Sequence, residues 1–543
     1  MKSVMAHQFS RVPSVSIQRS TFDRSHGYKT TFNEGYLVPF FVDEVLPGDT
    51  FNLNTTLFSR LSTPVVPFMD NLFLETFFFY VPDRLVWDNF QKMMGEQENP
   101  GDSTDYLIPQ ITVTNAENQS IFDYFGIPTR ISNGIKVNAL PFRAYNLIWN
   151  EWFRDENLQD SVTVAKGDSG DPTYTLLKRG KRHDYFTSAL PWPQKGDAID
   201  VPLSAQIEAN FTNPLSVTLS PFNPVVSSAG SSIPKNTLAY LQQSALNDVI
   251  FTGSMTSPAG GYNKIQFSGS GSVSASELNK LADGLSIGNA TGSIITINEL
   301  RQAFQVQRML EKDARGGTRY TEILRAHFGV VSPDARLQRP EFLGGSSSRI
   351  NINPVQQTSG TTDTSPQGNL AAYGVVADRY HGFTKSFVEH GFIIGLINVR
   401  ADITYQQGLN RLWKRRTRLD HFWPTLAHLG EQTVTNDEIY AQGTAADDDA
   451  FGYQERYAEY RYKPSLITGK FRSNDPQSLD VWHLSQYFQN LPVLNDEFIE
   501  DAPPINRVVA VQDEPHFLLD VYFNLKCTRP MPLYSVPGLI DHF

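Results

Sequence analysis

Apolar and polar residues alternate most cleanly near the C-terminus, in "HFLLDVYFNLKC" from residue 516. Phe517, Leu519, Val521, Phe523, Leu525 and Cys527 share one parity, and Asp520, Asn524 and Lys526 share the other. That period of two predicts an antiparallel strand with one face on a core and one on water. "GFIIGLINVRADITY" from 391 alternates likewise through Ile393, Ile397, Val399, Ile403 and Tyr405, against Arg400, Asp402 and Thr404. "DTFNLNTTLFSRL" from 49 does so through Phe51, Leu53 and Leu57. "LFLETFFFYVP" from 72 is apolar almost throughout, which fits a strand covered on both faces. Strands therefore occur at both ends of the chain.

Helical spacing interrupts them. "DRLVWDNFQKMMGE" sets Val86, Phe90 and Met93 at helical intervals behind Asp83 as an N-cap, and "FRAYNLIWNEWFRDE" follows. "TINELRQAFQVQRMLEKDAR" opens on the capping-box pair Thr296 and Glu299 and closes on Gly316 and Gly317, with a further turn or two in "RYTEILRAHFG". The Trp, Met and Phe stripes in these segments read as core packing.

Between about 226 and 293 the pattern lapses into Ser, Gly, Asn and Thr with small apolar patches such as "LAYLQQSALNDVIF". A linker would divide two segments, each with its own strand set and core. Here both flanks end in β-rich segments, so strands from the two termini are expected to pair into one sheet system with the middle extruded as an insertion. Loops of that length usually carry function.

Composition narrows the classes. With 40% hydrophobic, 12% aromatic and 19% charged residues, the 543-residue chain has globular values. Its one cysteine, Cys527, excludes an intrachain disulfide, so the chain is expected to mature in a reducing compartment or not to depend on oxidation for stability. No apolar run approaches the roughly 18 residues of a membrane span, and the N-terminus lacks the apolar stretch of a secretory signal. A soluble chain without membrane insertion is expected. The net charge of −11 argues against a surface that is cationic all over, leaving local patches as candidates for nucleic acid. Residues 1–30 form a basic arm with Lys2, Arg11, Arg19, Arg24 and Lys29 against Asp23 alone. "KRGKRH" at 178–183 and "RLWKRRTR" at 411–418 are further clusters, each read first as solvated surface.

Catalytic signatures do not assemble. "GDSGDP" at 167–172 resembles the nucleophile loop of trypsin-like proteases, with Ser169 in the nucleophile's place, but only His7 and His26 precede it, without the surroundings of a general base. It reads as a turn-rich loop. His421, His428 and Glu431 lack metal-site spacing, and no phosphate-binding glycine loop is present. "AADDDAF" lacks the spacing of a calcium loop. No enzyme activity, cofactor or metal is expected.

Several long segments closely resemble the major capsid proteins of Microviridae, in the gokushovirus branch of small single-stranded DNA bacteriophages. They include "FDRSHGYKTTFNEGYLVPFFVDEVLPGDTF", "STPVVPFMDNLFLETFFFYVPDRLVWDNFQKMMGE" and "KRHDYFTSALPWPQKGD". Further on come "INELRQAFQVQRMLEKDARGGTRYTEILRAHFGVVSPDARLQRPEFLGG", "HFWPTLAHLGEQ", "FGYQERYAEYRYKPSLITGKFRS" and "RPMPLYSVPGLIDHF". The departure falls at about 198–296, the variable region of that family.

The resemblance implies a mainly β fold, a single eight-stranded antiparallel jelly roll with long loop insertions and a few short helices. It implies a jelly-roll core over 31–197 and 297–543 behind the basic arm, with 198–296 as an insertion between barrel strands. Sixty copies would build a T=1 shell around a circular single-stranded DNA genome, assembled in the bacterial cytoplasm and resident in the virion. Its partners would be a small basic DNA-binding phage protein, a minor or pilot protein and a host cell-surface receptor. Three insertions would meet in a protrusion at each threefold axis, with Leu238, Tyr240, Leu241, Ile250, Phe251 and Tyr262 as its candidate apolar residues.

Candidate genome-facing residues are Arg11, Arg19 and Arg24 of the arm and Trp413, Lys414, Arg415, Arg416 and Arg418 of the later cluster, where Trp413 could stack on a base. A rival placement puts Arg415, Arg416 and Arg418 in salt bridges between subunits with acids such as Asp447 to Asp449. A jelly-roll host-binding protein that does not form the shell is the alternative function.

Overall fold

The alternation at the C-terminus becomes a 13-residue strand, Phe517–Arg529, in which every second side chain from Phe517 to Cys527 is buried. The structure, a computed structural model, describes residues 17–196, 240–243, 249–252, 297–317, 319–330, 338–363 and 365–534. Nine strands form its main sheet: β1 (Ser20–Asp23), β2 (His26–Phe32), β3 (Val38–Val45), β4 (Thr50–Leu61), β5 (Leu72–Pro82), β6 (Glu341–Gln356), β7 (Leu370–Ser386), β8 (Gly391–Ala401) and β9 (Phe517–Arg529). Thr296 and Arg11 lie outside the described residues.

The hydrogen-bonded order is β1-β9-β4-β7-β6-β5-β8-β3, all antiparallel, and β2 pairs with β9 beyond β1. Since β1 and β2 lie along the same edge of β9, they act as one strand interrupted at Arg24 and Ser25. The sheet curls so that β2-β9-β4-β7 faces β3-β8-β5-β6, the order of a jelly roll, and the long strands β6 and β7 turn the corner between the halves. The chain is mainly β, an eight-stranded antiparallel jelly roll with long insertions and few short helices. Its N-terminal and C-terminal strands are direct partners, with Phe32 opposite Phe517.

Between the halves lies a dry core in which Phe40, Phe41, Phe78 and Phe523 meet at centroid distances of 5.0–6.0 Å. The outer side of β5 and β8 is covered too. The helix Leu140–Ile148 lays Phe142, Tyr145 and Ile148 in one apolar cluster with Phe79, Val81, Ile394 and Leu396. This confirms the doubly covered reading of β5. It also departs from the simple alternation expected along "GFIIGLINVRADITY": β8 is buried on both faces and ends at Ala401, before Ile403. A third cluster gathers Tyr185, Phe186, Tyr405, Val434, Ile439, Phe451 and Phe498.

Most of the remaining residues belong to two connections, 83–340 between β5 and β6 and 402–516 between β8 and β9. The chain divides into two compact units, 1–197 with 308–543, and 198–307. In the second unit the described residues are a short antiparallel pair, Tyr240–Gln243 with Val249–Thr252, and the start of the helix Ile297–Gly316. Asp83 does not cap a helix as expected. It opens a three-residue 3-10 turn behind Pro82, and burial pushes its carboxyl up to about 7. Helix resumes only at Phe90–Met93.

Candidate assembly and nucleic-acid surfaces

The basic segments predicted from sequence are largely tied down within the chain. From Ser20 the N-terminal arm is strand. Arg19 donates to the Gly48 carbonyl and Thr50 Oγ1, both at 2.7 Å, and Arg24 grips Asp43 with two hydrogen bonds of 2.5 and 3.0 Å. Lys29 reaches Asp520 on the neighbouring strand at 2.9 Å.

In 411–418, Asn410 caps a short 3-10 turn from which the side chains diverge. Arg411 donates to the Thr433 carbonyl and to Glu438, while Lys414 bridges Asp437 at 2.8 Å and Asp448 at 3.2 Å. Burial works against the Lys414 charge, but the two carboxylates outweigh it and hold its pKa above the usual lysine range. Arg415 pairs with Glu459 at 3.3 Å and stacks on Tyr460, and Arg418 stacks on Trp423. Two groups of the cluster stay open: the Arg416 side chain is exposed and makes no ion pair among the described residues, and Trp413 is 74% exposed. Of the acids offered for the rival placement, Asp448 meets Lys414 of the same chain and Asp447 accepts from the backbone N–H groups of Gln442 and Gly443.

"KRGKRH" is not the solvated segment it resembles. Arg179, Arg182 and Arg400 surround Glu75, which β5 carries into the layer beneath the 178–183 segment; Glu75 is 6% exposed. Burial alone would raise the Glu75 carboxyl, yet the three guanidiniums outweigh it and hold its pKa below the ordinary value. Lys181 is buried against the Phe498 ring and donates to the Phe498 carbonyl, and burial pushes its pKa down to about 8. The signal available in the sequence was Glu75 itself, a single acid in an apolar run.

The protease-like loop is an anchor. Asp168 accepts from Trp87 Nε1 at 2.7 Å and Asn89 Nδ2 at 3.0 Å, and Asp171 takes a bidentate pair from the fully buried Arg143, both bonds at 2.8 Å. Among the described residues no three metal-ligating side chains converge, and Glu431 pairs with Arg315. No helix among them is long and apolar enough to cross a membrane. Of the candidate protrusion residues, Leu238 and Tyr262 lie outside the described residues. Leu241 stands opposite Phe251 in the short strand pair, Tyr240 opposite Thr252, and Ile250 opposite Gln242.

What remains is a jelly roll with two long connections and no assembled catalytic or metal centre among the described residues. Comparison with known proteins gives this architecture its context. A family model described as capsid protein (F protein) matches residues 10–539. Capsid protein VP1 of Bdellovibrio phage phiMH2K is 50% identical over 546 residues, covering 99% of this chain and 98% of the relative. Capsid protein VP1 of Chlamydia phage 1 is 46% identical, covering 99% and 98%, and that of Spiroplasma virus 4 is 36% identical, covering 98% and 97%. As a structural protein rather than an enzyme, it assembles into a multimeric capsid and resides in the virion. The chain belongs to the F-protein family of phage capsid proteins.

Proposed function

We propose that sixty copies of this chain close into a T=1 icosahedral shell around a circular single-stranded DNA genome, with the segment 198–296 forming threefold protrusions used in host attachment. The observation that carries the reading is a jelly roll whose N-terminal and C-terminal strands pair directly, in a chain similar to capsid proteins over nearly its whole length. With its terminal strands paired within the chain, the roll leaves the connections 83–340 and 402–516 available for contacts between copies. The lone, buried Cys527 suits assembly in the reducing bacterial cytoplasm without disulfides. The net charge of −11 leaves genome neutralisation incomplete, which supports a separate small basic DNA-binding protein; a minor or pilot protein and a cell-surface receptor complete the partners.

Negative-stain electron microscopy of the protein from infected cells, with nuclease protection on the same fraction, tests the shell. Uniform small icosahedral particles holding protected single-stranded DNA are expected. Monomers or small oligomers at high yield would favour a host-binding protein that does not build the shell. Attachment is tested separately by exchanging 226–293 for a relative's segment, which should change host range.

A further inference from the structure

We infer that the outward face of the β2-β9-β4-β7 sheet is a docking platform for unpaired nucleotides of single-stranded DNA, with Phe58, Tyr522 and Tyr380 offering rings to bases and Arg60 and Arg379 taking phosphates. This rests on the reading that the shell holds a single-stranded genome, and adds which surface meets that genome and how.

The inner parity of these strands is core, so the outer parity should be polar throughout. It is polar at Asn52, Asn54, Thr56 and Asn524, but Phe58 is 48% exposed and Tyr522 53%. Strand register places them close together. Arg60 lies opposite Val375 and Leu518; one row on, Phe58 lies opposite Ala377 and Asp520; one row further, Thr56 lies between Arg379 and Tyr522. Successive rows are two residues apart, about 6.8 Å, so cation, ring, and ring with cation follow one another along the sheet. Neither Phe58 nor Tyr522 stacks on another ring among the described residues, which leaves their faces open.

Tyr380 is a separate observation. It is the extra residue of a β-bulge between Arg379 and His381, held at φ +65° and 82% exposed. A bulky residue in the left-handed region is uncommon, and bulges re-aim side chains at functional edges. Here the bulge turns a third ring outward beside Arg379.

The charges select an anion. Of the two acids on this face, Asp520 is answered by Lys29 at 2.9 Å and Asp23 lies opposite Lys526. Arg60 and Arg379 are exposed and form no ion pair among the described residues. The face is thus locally cationic within a chain of net charge −11. Rings interleaved with unpaired arginines and amides are the chemistry that holds single strands without sequence preference.

The test uses the purified, unassembled full-length chain and a 20-nucleotide single-stranded DNA bearing 5-iodouracil. Photo-cross-links should map to peptides within 50–61, 370–386 and 517–529; cross-links confined to other segments, such as 411–418, would overturn the inference. The double variant Phe58→Ser, Tyr522→Ser should bind the oligonucleotide about 10-fold more weakly or worse, whereas Phe58→Tyr, Tyr522→Phe should keep wild-type affinity. Tyr380→Gly should fold normally, because glycine adopts this backbone freely, and still lose affinity. A serine variant that loses particle formation with unchanged affinity would assign the face to a second copy of the chain and refute the platform. A wild-type chain that binds DNA through this face but never closes into shells would defeat the proposed shell and leave the platform standing.

Discussion

Replacing Glu75 with Gln keeps the shape of the side chain and removes the charge that three arginines share. Arg400 approaches the Glu75 carboxylate to 2.9 Å and Arg182 to 3.1 Å, Arg179 is closer still, and Ser347 Oγ adds a hydrogen bond at 3.1 Å. Burial and the neighbouring Arg400 already push Arg179 down to about 10. Without Glu75, the guanidiniums face one another in a layer that excludes most water. Breaking a buried pair from one side costs about 3–5 kcal/mol. Arg182, one-third exposed, contributes the screened part of that loss. Against a typical stability of about 5–15 kcal/mol the damage is large. Urea unfolding of the unassembled chain, followed by tryptophan fluorescence at pH 7, should show it. The folded pKa of Glu75 lies below the ordinary glutamate value, so its contribution is complete above that ordinary value and is lost as pH falls through the folded value. The gap between wild type and Glu75→Gln should therefore narrow in acid. A loss under about 1 kcal/mol at pH 7, or a gap that does not narrow, would refute the electrostatic account of this cluster.

Asp171→Ala strands the buried Arg143 and should cost about 3–5 kcal/mol in the same unfolding assay, whereas Ser169→Ala in the same loop should stay within about 0.5 kcal/mol of wild type. Gly382→Ala places a Cβ 1.9 Å from the Leu53 carbonyl oxygen and should destabilise by at least about 2 kcal/mol, read as a lower urea midpoint. Arg416→Glu should leave folding unchanged, because its exposed side chain makes no ion pair among the described residues, while Arg415→Glu should lower the urea midpoint through repulsion from the buried Glu459. Cys527 is fully buried and burial raises its thiol pKa, so iodoacetamide at pH 8 should label it only after denaturant is added.

The strands were legible where one face is dry and the other wet. In β4 and β9 the parity read from Phe51, Leu53 and Leu57 and from Phe517 to Cys527 is the parity that is buried. Strand β8 was less legible because the Leu140–Ile148 helix covers its second face, and a helix some 250 residues away leaves no trace in the local alternation. Charge misled for the same reason. "KRGKRH" looks solvated until Glu75 arrives from a distant strand, and Arg415 looks free until Glu459 and Tyr460 fold over it. Local sequence names ionic groups but not the partners that decide whether they are surface or interior. Trp413 and Arg416 remained open as their composition suggested, while Phe58 and Tyr522 were visible only as apolar residues on the wrong parity of otherwise regular strands.

If this chain by itself provides the repeating unit of a closed shell, weighing nuclease-treated particles by charge-detection mass spectrometry will count its copies. Sixty copies of the 61.0 kDa chain (60 × 61.0 kDa, about 3.7 MDa) set the protein mass, with the protected genome added to it. A single narrow population at or above that mass is the predicted result. A distribution confined to monomers and small oligomers, or a closed particle with a different copy number, would contradict it.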